Sequence, residues 1–209
     1  MNRLLFLRSF ALFILLALWT VSTLSQTVIT FDDISTPNIF ASIPNSYQGL
    51  SWSTSFSTLN AFSFTDGSAL NGYYYGMVSS SNVAYNGSAF PVEIDSQGTN
   101  FNFLSAYLTG AWNSNLNIEV EGFRSGGMLY DTTVVASATS PTLFAFDYLN
   151  IDRLTFNSFG GQSAGFSTHG GANFVMDNLT VEFVPEPSSF LLTGAGVLTL
   201  CVLRKRKRA

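Results

Sequence analysis

Leu116-Asn117-Ile118-Glu119-Val120-Glu121 alternates apolar and polar side chains without a break. A period of two puts Leu116, Ile118 and Val120 on one face of an extended strand and Asn117, Glu119 and Glu121 on the other. One face is then buried and the other wet. The alternation returns at Ile29 and Phe31 near the start of the chain and at Leu179, Val181 and Phe183 near its end. Residues 92–94, 101–108, 128–135, 142–146 and 151–156 are further strand candidates, and turn-forming pairs such as Asn71-Gly72, Gln97-Gly98, Gly126-Gly127 and Gly160-Gly161 separate them. Helical periodicity, which would carry the chain between parallel strands, is missing from this region. About eight to ten short strands therefore predict an all-β fold, an antiparallel β-sandwich or jelly roll, over residues 26–183. Residues 35–90, rich in Ser, Asn, Gly and Tyr, are expected to form long loops over one end of it.

Outward from the strands, the charges are unevenly spread. Seven of the nine basic residues lie at the two ends of the 209-residue chain. Between Gln26 and Val184 only Arg124 and Arg153 oppose twelve acidic residues, a net charge of −10 with no lysine. Such a segment repels phosphate backbones, whose binding depends on cation contacts, so nucleic acid is excluded as a partner. The one cysteine, Cys201, cannot form an intramolecular disulfide. The domain must rest on its apolar core.

The ends read as export signals. Arg3 and Arg8 precede the apolar run 10–18, and Ser22, Thr23 and Ser25 follow it. That order predicts a signal peptide over residues 1–25, a short helix handled by the secretion machinery and removed by signal peptidase. At the other end Pro185-Glu186-Pro187 is followed by the apolar run 190–203 and by Arg204, Lys205, Arg206, Lys207 and Arg208. The three parts, residues 184–209, resemble the PEP-CTERM sorting signal of bacterial exported proteins. The resemblance implies a single transmembrane helix, stopped by the basic cluster and presented to an exosortase, a transpeptidase-like membrane protease. A helix over 190–203 would measure roughly 21 Å at 1.5 Å per residue, short for a ~30 Å hydrocarbon core. That suits a temporary anchor in the inner membrane, followed by release to the cell surface or extracellular matrix. The stretches Phe31-Asp32-Asp33-Ile34, Tyr47-Gln48-Gly49-Leu50-Ser51-Trp52 and Phe174-Val175-Met176-Asp177-Asn178-Leu179-Thr180-Val181 resemble the sandwich ectodomains that such proteins carry. That likeness implies a jelly-roll domain of carbohydrate-binding type and does not imply catalysis.

Several constellations could carry chemistry. Asp32 and Asp33 are expected to end the first strand and Asp177 to open the last. If those strands pair, the three would gather at one edge, a hard-oxygen set suited to a structural calcium ion; the competing expectation is that they satisfy turn amides. No other cofactor is expected. Tyr74, Trp112 and Asn113 are the leading candidates for a sugar-stacking surface, because aromatic rings offer a flat apolar face and asparagine can bond hydroxyls. Loop aromatics equally serve as anchors to a core. Glu119 and Glu121 share a strand face, and paired carboxylates are the tools of glycoside hydrolysis. His169, the only histidine, lies in a glycine loop, and no serine has a nucleophile-elbow sequence around it. Asn86-Gly87-Ser88 and Asn178-Leu179-Thr180 match the glycosylation sequon but are expected to act as turn formers. The reading is thus an exported, non-enzymatic surface or matrix protein sorted through the exosortase route, with exopolysaccharide as a ligand. Its alternatives are a secreted glycan hydrolase using Glu119 and Glu121, and a structural protein that packs against its own copies.

Overall fold

The computed structural model describes residues 25–64, 70–166 and 170–184. The segments expected to be the signal peptide and the sorting signal, including Pro185, Glu186, Pro187 and Arg204 through Arg208, lie outside them, as do His169 and Cys201. Among the described residues no helix is long and apolar enough to cross a membrane.

The strands are β1 (Gln26–Ile29), β2 (Phe40–Ser42), β3 (Ser51–Trp52), β4 (Phe56–Asn60), β5 (Asn82–Asn86), β6 (Val92–Asp95) and β7 (Phe101–Gly110). They continue as β8 (Asn113–Ser114), β9 (Leu116–Arg124), β10 (Gly127–Ala136), β11 (Thr142–Ile151), β12 (Arg153–Phe159), β13 (Gln162–Ser163) and β14 (Phe174–Phe183). One α-helical turn, α1 (Gly72–Tyr75), and two 3-10 turns, Tyr47–Gly49 and Gly87–Ala89, lie between them. A seven-stranded sheet in the order β11-β7-β14-β5-β4-β2, with β1 also on β14, packs against a five-stranded sheet in the order β10-β9-β12-β6-β3. Every pairing is antiparallel. This is the all-β sandwich that the alternation predicts.

Leu116, Ile118 and Val120 are fully buried between the sheets, while Asn117, Glu119 and Glu121 are half-buried on the outer side. Phe101, Phe103, Phe156 and Phe174 fill the same layer. Their rings meet edge-on or tilted, Phe103 at 6.0 Å and Phe174 at 5.7 Å from Phe156, so phenylalanine supplies both core volume and a fixed geometry. On the flank where β10 and β11 leave the sandwich unpaired, Tyr130 stacks on Tyr148 at 4.5 Å and 10°. Tyr148 Oη donates to the Val120 carbonyl at 3.0 Å, which stitches the two sheets together there.

Four expectations need correction. Residues 35–90 are not simply loops: β2, β3, β4 and β5 come from them, because Phe56, Leu59, Val83 and Ala84 find buried positions on the sheets. The strand expected over 151–156 is present as β12 but starts later: β11 ends at Ile151, the chain turns at Asp152, and β12 runs from Arg153 in the other sheet. The first strand stops at Ile29, since Phe31 adopts φ 63° to bury its ring against Trp52 at 5.6 Å. Asp177 does not open the last strand but is the fourth residue of β14.

The registers define two poles. Gln26 pairs with Glu182, and Phe183 with Phe101, so both ends of the described sandwich leave at one pole, beside Asp95, Arg124 and Arg153. Gly110, Asn113 and Phe159 mark the other.

Candidate functional site

The outer face of the seven-stranded sheet is not left to solvent. Residues 61–64 and 70–81 form a strap across it, and a second apolar cluster seals the space beneath: Leu59, Val83 and Val175 from the sheet, with Tyr73, Ala111 and Trp112 from above. Asn71 starts α1, its Oδ1 accepting from the amides of Tyr73 at 3.0 Å and Tyr74 at 3.3 Å. Gly72 makes the close seat possible, since a Cβ there would lie 1.9 Å from the Gly110 carbonyl oxygen. Tyr73 then points inward, edge-on to Trp112 at 5.6 Å, and burial pushes its hydroxyl well above the usual phenol range.

The strap's lower end is fixed by Asp177. This fully buried carboxylate accepts from the amides of Val78 at 2.7 Å and Ser79 at 2.8 Å, from Ser79 Oγ at 2.9 Å, and from the Asn178 amide at 2.7 Å. Burial pushes its carboxyl above the ordinary range, against the pull of those donors in the opposite direction.

Its partners separate Asp177 from the other two carboxylates proposed as calcium ligands. Although β1 and β14 do pair, Asp32 accepts from the Asn82 amide at 3.0 Å, and Asp33 accepts from Tyr47 Oη. Each serves a different turn. Among the described residues no group of three or more His, Cys, Asp or Glu side chains could hold a metal ion.

Of the three candidate sugar-contact residues, Trp112 is 9% exposed and walls the second core. Asn113, in the short β8–β13 ribbon, donates to the Gly160 carbonyl at 3.0 Å. Tyr74 lies half-exposed on the outside of the strap. It belongs to a run of rings that sequence reading missed in part: Phe62, 67% exposed, is 6.5 Å from Tyr74 at 35°, and Tyr75 is 5.7 Å from Phe166 at 32°. Tyr74 and Tyr75 meet at 5.8 Å and 87°. Tyr74 was the local signal; Phe62 comes from the other segment of the strap, and Phe166 joins from a distant part of the chain.

Glu119 and Glu121 lie on the outer face of the five-stranded sheet, each held from β12: Asn157 Nδ2 donates to Glu119 at 3.3 Å and Thr155 Oγ1 to Glu121 at 2.8 Å. Arg153 lies over the Phe123 ring at 4.3 Å and pairs with Glu93 at 3.4 Å on the same face. These bonds tie neighbouring strands of the sheet together. The sequon residue Asn86 is buried, its Oδ1 accepting from the Phe174 amide at 2.7 Å and its Nδ2 donating to Ser158 Oγ at 2.9 Å.

No protein-family model and no curated protein matches this chain. Among solved structures it is similar to a DUF4465 family protein from Bacteroides caccae, at 12% identity and TM-score 0.46 over 77% of this chain and 93% of that one. A family 29 carbohydrate-binding module complexed with mannohexaose is similar at 14% identity and TM-score 0.35, over 77% and 92% of the two chains. A family 32 module from C. perfringens NanJ in complex with galactose gives 12% and 0.34, over 70% and 100%.

Proposed function

We propose that the chain is an exported, non-enzymatic surface or matrix protein that presents a jelly-roll sandwich on the outside of the cell and binds exopolysaccharide through the Phe62-Tyr74-Tyr75-Phe166 ridge. The observation that carries this reading is the polarity of the sandwich. The chain leaves β14 at Phe183, two residues before Pro185, at the pole where β1 also begins, whereas Gly72 seats α1 against Gly110 at the other. Anchored through its tail, the domain would stand with the exit pole toward the membrane and the rings away from it. The basic run 204–208 would keep the tail's end in the cytoplasm.

Two experiments test the two halves. For sorting, Pro185→Ala with Glu186→Ala should leave the protein in the inner-membrane fraction; undiminished surface delivery would remove the exosortase route. For binding, the protein should be retained by a polysaccharide matrix and lose retention with Tyr74→Ala. Turnover of a glycan substrate that disappears in Glu119→Gln would instead favour the hydrolase.

A further inference from the structure

We infer that the ridge selects uncharged, soluble polysaccharide and rejects anionic polymers and crystalline surfaces. The inference rests on the glycan-binding reading above and adds the class of ligand.

The first argument is where the charges lie. Arg153 pairs in register with Asp95, and Gln26 with Glu182, which places these groups at the exit pole with Asp152 and Arg124. Asp177 and Glu119 lie about midway along their strands. At the Gly110 pole, by contrast, residues 60–64, 70–76, 111–116, 137–141, 157–166 and 170–174 contain no Asp, Glu, Lys or Arg. Asp66 and His169 are the ionisable residues of the two neighbouring segments outside the described residues. Among the described residues the pole therefore carries no charge, on a domain of net charge −10. An anionic chain approaching it meets the repulsion of the whole domain without a cation to offset it, because both arginines are at the far end. A neutral polyhydroxylated chain incurs no such cost. Its C–H faces can lie on the rings, and its hydroxyls can bond the Asn, Ser and Gln side chains around them.

The second argument is the shape of the ring run. Phe62 with Tyr74, and Tyr75 with Phe166, are within 35° of parallel as pairs, but the two central rings stand at 87°. Four rings so arranged cannot lie on one flat surface. A crystalline polymer face needs a coplanar row, whereas a flexible chain can bend over the corner. The corner itself is preformed, since Asn71 caps the turn that carries Tyr74 and Tyr75, so ordering costs on binding are small.

The test is affinity electrophoresis of the full chain in a neutral detergent, with galactomannan, alginate or nothing in the gel and crystalline cellulose in a parallel pull-down. The expected result is retardation by galactomannan that salt does not weaken, with little by alginate or on cellulose. Tyr74→Ala with Phe166→Ala should weaken it roughly tenfold or more, and Tyr74→Phe should retain it; thermal melts of each variant report whether the fold is intact. Alginate binding equal to or tighter than galactomannan binding, or binding suppressed by salt, overturns the selectivity while leaving glycan binding in place. Capture by cellulose alone overturns the bent-ridge argument. Failure of every polysaccharide to bind sinks the underlying reading as well, as does self-association that the double variant abolishes.

Discussion

Asp177 shows how one buried carboxylate can be a fastener. Three backbone amides and one hydroxyl converge on it, and among the described residues no salt-bridge partner does. Asp177→Ala leaves those amides unpaired beneath the strap and should cost about 3 kcal/mol of unfolding free energy, measured by urea titration. Because burial raises its folded-state pKa, the pH-dependent part of its contribution is largest below the ordinary carboxylate range and is lost as pH rises through the folded value. The wild type's thermal midpoint, relative to that of Asp177→Ala, should therefore rise as the pH falls from neutral toward that range; an unchanged difference would contradict the raised pKa. Thr109 is the opposite case. Its Oγ1 is buried and has no hydrogen-bond partner among the described residues. Thr109→Val keeps the shape and removes the unsatisfied hydroxyl, so stability should increase by about 1 kcal/mol.

The strap is the element on which binding would depend. Gly72→Ala sets a methyl group against the Gly110 carbonyl, which should lift α1 and cost about 3 kcal/mol or more; calorimetry would show a lower midpoint, and hydrogen exchange would show loss of protection in Tyr73 and Gly76. Strands such as β9 were legible in the sequence because one face is buried and the other is wet, which makes the period of two visible. The strap was not, because its burial follows no period. Tyr73 goes in, Tyr74 and Tyr75 stay half-exposed, and Gly76 goes in again, through a turn only four residues long. Trp112, named both as a candidate contact and as a loop anchor, is 9% exposed and walls the second core; composition cannot tell an aromatic that anchors a loop from one that displays itself. Only the tertiary fold brings Phe62 and Phe166 to Tyr74 and Tyr75. Asp32 and Asp33 failed to meet Asp177 because the first strand stops early, at a turn forced by burying Phe31.

At the scale of the molecule, the first and last strands are neighbours, and β14 lies inside the larger sheet between β7 and the strands β5 and β1. A chain ending before Phe174 loses the sheet's middle rather than its margin. Such a truncation should be globally unfolded by circular dichroism and near-infrared-labelled proteolysis, whereas loss of the two-residue β13 should leave the sandwich intact. This arrangement also governs when folding can happen. A chain emerging from its amino end can complete the five-stranded sheet from residues 51–159, but the larger sheet stays open in its middle until the ten residues of β14 arrive. Those residues arrive immediately ahead of the apolar run 190–203. The two sheets are thus completed at different times: one is ready for packing before the other has its central strand.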